Sequence, residues 1–261
     1  MKRLSGVIAV LCLAGIVLAA CSGTAGGGAT ATSTLPKLTI YTDSTYPPFE
    51  QMNTATKQIT GFDVELIKAI ADKAGYDAQF DTSLNINRLL TAVASCQVDV
   101  AISAISITDD LKQQMAFSDP YFTFGEVVTV KSGNTAITGP DTLVGMTVGV
   151  QNQTTSQTEV AKIQGAKMKV YPTFDLAFKD LQNGLIDAAV ADKITALAYV
   201  NLSPNNLKIV GTEFAMENYG IAVCSTKTDL LKQLNDALAV VKSNGTLSAL
   251  SDKWLSKPVI K

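Results

Sequence analysis

Two stretches of this chain repeat one pattern, and the repetition leaves few folds open. Leu38 to Asp43 reads as a strand that ends in a polar loop, and Met146 to Gln151 reads the same way. Later, Val98 to Ser103 and Ile186 to Ala191 each follow a helical stretch. The paired blocks align without gaps. Buried parallel strands are near-continuous apolar runs, as 98–102 and 186–191 are once their leading aspartates are set aside. Between the blocks, Asp63 to Ala74 places Val64, Ile67, Ile70, Ala71 and Ala74 on one face, at the period of an α-helix. Asp63 is expected to cap that helix, Phe62 to staple onto Ile67, and Gly75 to end it. Arg88 to Ser95 and Thr173 to Gln182 are similar helices in the two halves. Each half therefore reads strand–helix–strand–helix–strand.

Strands alternating with helices imply two α/β units, each on a mostly parallel sheet. In such sheets a ligand binds beyond the C-terminal ends of the strands. Those ends are Asp43, Ser103–Ala104, Gln151 and Ala191–Asp192, and they line one cleft if the halves face each other. Tyr121 to Val130 is expected to cross from the first half to the second, and Ala215 to Cys224 to lead back. Two amphipathic helices, Asp229 to Val241 and Thr246 to Leu255, finish the chain. Residues 36–122 with 216–261 then form one lobe and 123–215 the other. A two-segment hinge between them permits rigid-body closure.

The amino terminus has a different character. Met1-Lys2-Arg3 precedes an apolar run from Val7 to Ala20, which is short for a membrane span and suits the core of a secretory signal peptide. The run ends Leu18-Ala19-Ala20-Cys21, which resembles the lipobox of bacterial lipoproteins. That resemblance implies cleavage after residue 20 and lipidation of Cys21. An uncleaved anchor or a plain secretory signal is the alternative. Residues 21–35, largely Gly, Ala, Ser and Thr, read as a flexible tether.

Composition excludes several functions. A net charge of −2 without a basic tract argues against nucleic acid. The chain has no His, which excludes His-based triads, His general bases and the usual His-containing zinc sites. No metal, cofactor or catalytic residue is expected. Ser103 and Ser106 have no candidate base, and nothing sets Glu50, Glu213 and Glu217 at an acid–base spacing.

Six short motifs then follow in one order. They are Tyr46-Pro47-Pro48-Phe49-Glu50, Gly61-Phe62-Asp63-Val64, Ser106-Ile107-Thr108, Phe117-Ser118-Asp119-Pro120-Tyr121, Tyr219-Gly220-Ile221-Ala222-Val223, and Asn244-Gly245-Thr246 with Lys253-Trp254. Together, over about residues 36 to 256, they resemble the polar amino-acid-binding proteins of ATP-binding-cassette transporters. The resemblance implies a periplasmic-binding-protein-like α/β fold and a monomer. It also implies an extracytoplasmic role, capturing an amino acid or amino-acid-like solute for a membrane permease. With Cys21, it places the chain on a membrane by a lipid anchor, at the cell surface or in the periplasm.

The resemblance also implies site residues. The family holds its ligand's α-amino group between lobes with carboxylates, and Asp43 and Asp192 fall on those positions. A cation taken out of water needs charge-assisted partners. Plain structural roles are open to both: a turn for Asp43, and the N-cap of a helix from Lys193 to Val200 for Asp192. Tyr46 sits where the family places an aromatic over the ligand, or it packs beside Pro47. Gln151 ends a strand. Thr154, Thr155 and Ser156, at a helix start, suit a carboxylate through amides and hydroxyls, or they cap that helix alone. Gln153 stands where the family usually has Gly. Ser103, Ala104 and Ser106 complete the set, with Ala104 in place of a frequent Ser or Gly.

One departure bears on the ligand. The family's Arg, which grips the ligand carboxylate as a bidentate fork, is replaced by Leu111. Lys112 is next along but points about 100° away on a helical turn. Three explanations stay open. Arg88 reaches in from the neighbouring helix, loop amides and hydroxyls suffice, or the ligand is an amine or modified amino acid without a free α-carboxylate.

Cys96 and Cys224 are the other pair of interest. If their strands are antiparallel neighbours, as the family fold implies, a disulfide joins them; two buried free thiols are the alternative. Two other functions compete with solute binding. One is a dehydratase-like enzyme on the same fold, which needs a cleft acid of raised pKa. The other is a sensor ectodomain.

Overall fold

The computed structural model describes residues 35–255. The signal segment, Cys21, nearly all of the tether and residues 256–261 lie outside the described residues. In chain order the first group of elements is β1 (Lys37–Tyr41), β2 (Thr45–Tyr46), β3 (Glu50–Met52), β4 (Ile59–Thr60), α1 (Phe62–Ala74), β5 (Asp77–Asp81), α2 (Ile86–Ala94), β6 (Val100–Ala101), α3 (Asp109–Lys112) and β7 (Ala116–Phe117). The second group is β8 (Phe122–Lys131), β9 (Thr147–Gln151), α4 (Thr155–Lys162), β10 (Lys167–Tyr171), α5 (Phe174–Asn183), β11 (Ala188–Asp192), α6 (Lys193–Leu202) and β12 (Leu207–Tyr219). The chain then adds β13 (Ala222–Val223), α7 (Thr228–Ser243) and α8 (Thr246–Trp254).

The repeat reaches the level of topology. One sheet is ordered β5-β1-β6-β13-β7 and the other β10-β9-β11-β8-β12. In each, the first strand of the repeat lies between the repeat's next two strands and parallel to both. The next place in each sheet is antiparallel: β13 beside β6, and β8 beside β11. β2, β3 and β4 form a small separate sheet. Strand 98–102 is shorter than its apolar run, with only Val100 and Ala101 in the ladder.

Local chemistry sets the helix ends. Gly75 closes α1 in the left-handed conformation, φ 83°, with its N–H on the Ala71 and Asp72 carbonyls. Asn85 caps α2 by accepting from the Arg88 N–H. The start of α1 corrects the expectation for Asp63. Gly61 occupies the N-cap with no side-chain cap, and Asp63 turns inward to full burial. Leu66, Ile67 and Ile70 are likewise fully buried on the inner face of α1.

Two segments connect the sheets. β8 and β12 run antiparallel from Leu207 opposite Lys131 to Tyr219 opposite Phe122. Beyond Tyr219 the chain hydrogen-bonds into the first group, with Gly220 N–H on the Ile105 carbonyl and Ser118 N–H on that of Ile221. Aromatic rings pack this crossing. Tyr219 stacks on Phe124 at 4.1 Å, and Phe49 meets Tyr219 edge-on at 5.3 Å. Such pairs add about 1 kcal/mol each beyond area burial.

The antiparallel pairing of β6 with β13 sets Ala101 opposite Ala222 and Val100 opposite Val223. Cys96 and Cys224 then fall within bonding reach, with Cα atoms 5.0 Å apart, and form a disulfide across a sequence separation of 128.

Candidate ligand-binding site

A cavity of about 360 Å³ opens where strand ends of both sheets meet. Asp43 follows β1, Ser103 to Ser106 follow β6, Gln151 ends β9, and Thr154 caps α4; all line it. This is the position expected for a ligand in an open α/β sheet. Of the residues singled out in the sequence, Asp43, Tyr46, Ser103, Ala104, Ser106, Gln151 and Thr154 line the cavity, as does Leu111. Thr155 and Asp192 lie behind the wall.

Each acid has internal partners. Asp43 Oδ1 accepts from the Thr45 N–H at 3.0 Å and its hydroxyl at 2.7 Å, while Oδ2 accepts from the Ile86 N–H at 2.9 Å. The turn role of Asp43 is therefore present, and the same residue borders the cavity. Asp192 is fully buried and caps α6, accepting from the Thr195 N–H at 2.9 Å. Its other oxygen accepts from the Tyr46 hydroxyl at 2.7 Å. Tyr46 thus reaches across from the first group to the second, and its ring meets Phe174 edge-on at 5.4 Å. A second bridge joins Ser106 Oγ and Thr155 Oγ1 at 3.0 Å.

Two carboxylates were not among the expected contacts: Glu126, which lines the cavity, and Glu217, which does not. Glu126 lies in β8 directly opposite Asp192 on β11, so the two acids share one face. It accepts from the Ser156 hydroxyl at 2.7 Å. Burial first, and then the charge of Asp192, hold the Glu126 carboxyl well above its usual range. Glu217 accepts from the Thr155 hydroxyl at 2.5 Å. A trace of Glu126 exists in the sequence, since it is the sole charge inside the apolar run of β8, FTFGEVVTV. A charge within a buried strand calls for a partner.

A second buried pair supports the first wall. Asp63 Oδ2 accepts from the Ala104 N–H at 2.7 Å and the Tyr121 hydroxyl at 2.8 Å. Ser103 donates to Glu50 Oε1 at 2.8 Å and accepts from the Asp43 N–H at 3.1 Å. Burial raises both carboxyls, Asp63 to about 6, and Glu50 further because Asp63 stands beside it. The pair holds Ala104 at a positive φ of 46°, a conformation costly for a non-glycine residue.

Neither Arg88 nor Lys112 supplies a carboxylate fork to the cavity. Arg88 borders a separate hollow behind α2 and does not line the cavity. Lys112 is exposed and paired with Asp109 at 3.1 Å.

Two repeated α/β units with a cavity at their facing strand ends define the two-lobed solute-binding class of fold. Residues 38–257 match the family described as bacterial extracellular solute-binding proteins, family 3, and the chain belongs to it. It is 34% identical over 226 residues to the L-cystine-binding protein TcyJ of Escherichia coli, covering 86% of this chain and 84% of that protein. It is 32% identical over 245 residues to the ABC transporter arginine-binding protein 1 of the same organism, covering 92% and 98%. Among solved structures, an ancestral arginine-binding protein bound to arginine matches with a TM-score of 0.80 and 39% identity, covering 85% of this chain and 99% of that one.

Proposed function

We propose that the chain is the solute-capturing component of an ATP-binding-cassette importer. Its lobes, 36–122 with 216–261 and 123–215, close on an amino acid or amino-acid-like solute and present it to a permease. The observation that carries this is the cavity bordered by strand ends of both sheets, with side chains of one wall bonded to the other. The relatives named above are cystine- and arginine-binding proteins, which supports a small solute bearing an amino group. Asp43, Tyr46, Ser103, Ala104, Ser106, Gln151, Thr154, Thr155 and Asp192 are the proposed contacts, the last two after the lobes part and Asp192 leaves Tyr46.

Residues 1–20 act as a lipoprotein signal, Cys21 carries the lipid, and the chain works as a monomer outside the cytoplasm. About 0.8 kcal/mol per buried methylene lets two or three acyl chains hold such a domain on a membrane. Cys21→Ser should abolish incorporation of labelled palmitate and release the protein from the membrane fraction.

Small-angle scattering with each of the twenty amino acids and their decarboxylated counterparts tests capture. A ligand that binds should reduce the radius of gyration and raise the melting temperature by mass action. No compaction and no thermal shift with any compound would overturn the proposal. Glu126 has the raised pKa that an enzyme on this fold would need, yet burial beside Asp192 accounts for it without chemistry. Ligand recovered unchanged after long incubation is the expected result, and a new product would favour the enzyme.

A further inference from the structure

We infer that the cleft takes an organic cation that carries no free carboxylate, such as a decarboxylated amino acid. This holds if the cleft is the solute site, as proposed above. Among the described residues, none that lines the cavity is Lys or Arg. Its charged lining is wholly acidic: Asp43, Asp110 at the rim and Glu126. Leu111 offers an apolar side chain where a ligand carboxylate would need a fork.

The hydroxyls of the alternative carboxylate anchor are already engaged. The start of α4 would hold an anion through its hydroxyls and amides. There, however, Ser156 donates to Glu126 and Thr155 to Glu217. A ligand carboxylate brought to that point would meet two protein carboxylates with their hydroxyl donors committed. In a low-dielectric cleft such a like-charge approach is strongly unfavourable.

The remaining features suit a cation. Gln151 is buried, and its Oε1 accepts no hydrogen bond although the residue borders the cavity. It is a buried acceptor at the cavity wall that no protein donor satisfies. Glu126 and Asp192 sit opposite each other, and among the described residues no Lys or Arg pairs with either. Tyr46, Phe124 and Tyr219 bring aromatic rings to the same wall, and ring faces attract desolvated cations. The cavity volume is at the small end of the range for organic ligands.

Titration calorimetry of the full chain with matched pairs tests this directly: arginine against agmatine, lysine against cadaverine, ornithine against putrescine. In at least one pair the amine should bind tenfold or more tighter than its amino acid. Glu126→Gln should weaken that amine tenfold or more. Leu111→Arg should shift the preference within the pair toward the amino acid by a similar factor. Amino acids binding as tightly as their amines, or tighter, would overturn the inference and leave solute capture standing. Silence across all pairs, together with no compaction by any amino acid, would remove the solute-capture proposal and this inference with it.

Discussion

Asp63 shows how much one inward-turning carboxylate can organise. It receives the Ala104 N–H and the Tyr121 hydroxyl, and it stands beside Glu50, whose carboxyl burial and the Asp63 charge push up. Asp63→Ala would leave those buried donors without an acceptor. Each orphaned group costs about 1–3 kcal/mol, so we expect about 3 kcal/mol lost in urea unfolding, with solute affinity falling as Ala104 and Ser103 loosen. Asp63→Asn, which keeps one acceptor, should recover part of both. Acidity has a consistent sign. Burial raises Asp63, Glu50, Glu126 and Asp192 alike. A carboxyl with a raised folded pKa stabilises the fold fully below its unfolded pKa, and that contribution is lost as pH rises through the folded value. For Asp63 the loss runs from about pH 4 up to about 6. The other three act in the same direction. The ligand-free protein should therefore melt at a higher temperature at pH 5 than at pH 8 in matched ionic strength. The reverse order would mean that a buried cation already compensates the acids.

At the scale of elements, α1 depends on its N-cap residue. Gly61 has φ 144°, and a Cβ added there would sit 2.1 Å from the Phe49 carbonyl oxygen. No L side chain relieves that contact without moving the β3 entry or the helix start. Gly61→Ala should cost more than about 3 kcal/mol, read as a collapsed folded yield or a much lower midpoint in guanidinium. Gly75 makes a useful contrast. Its φ is 83°, but nothing lies within 4 Å of an added Cβ. Gly75→Ala should cost only the left-handed conformation, about 1 kcal/mol. Equal losses at the two sites would show that backbone conformation, rather than the Phe49 contact, governs Gly61.

At the scale of the whole molecule, the disulfide closes a long loop. Cys96 and Cys224 are 128 residues apart, and they join the β6 side to the returning β13 segment. Restricting that loop in the unfolded chain is worth about 2–4 kcal/mol. Replacing both cysteines by Ser should lower stability by that amount while leaving solute affinity within about twofold, because neither residue lines the cavity. A larger loss of affinity would mean that the bond also tunes the crossing segments.

The repeat, the α/β class, most helix limits and the strand ends that carry the cleft were legible in the amino-acid order. All of these follow from apolar periodicity and from Gly or Asn at helix ends, which act over a few residues. Leu111 at the position where the family resemblance implies Arg was legible too, as was Cys96 with Cys224 once that resemblance made their strands neighbours. Where the buried acids point was decided only by tertiary structure. Asp63 was within reach of the helix amides as a cap, yet the chain turns it toward Ala104, 41 residues away. Asp192 does cap its helix, but its second oxygen goes to Tyr46 across 146 residues. Glu126 meets Asp192 because β8 lies beside β11. Local propensity cannot report such pairings, because the energy that selects them comes from desolvation and from partners that only the closed sheets bring together.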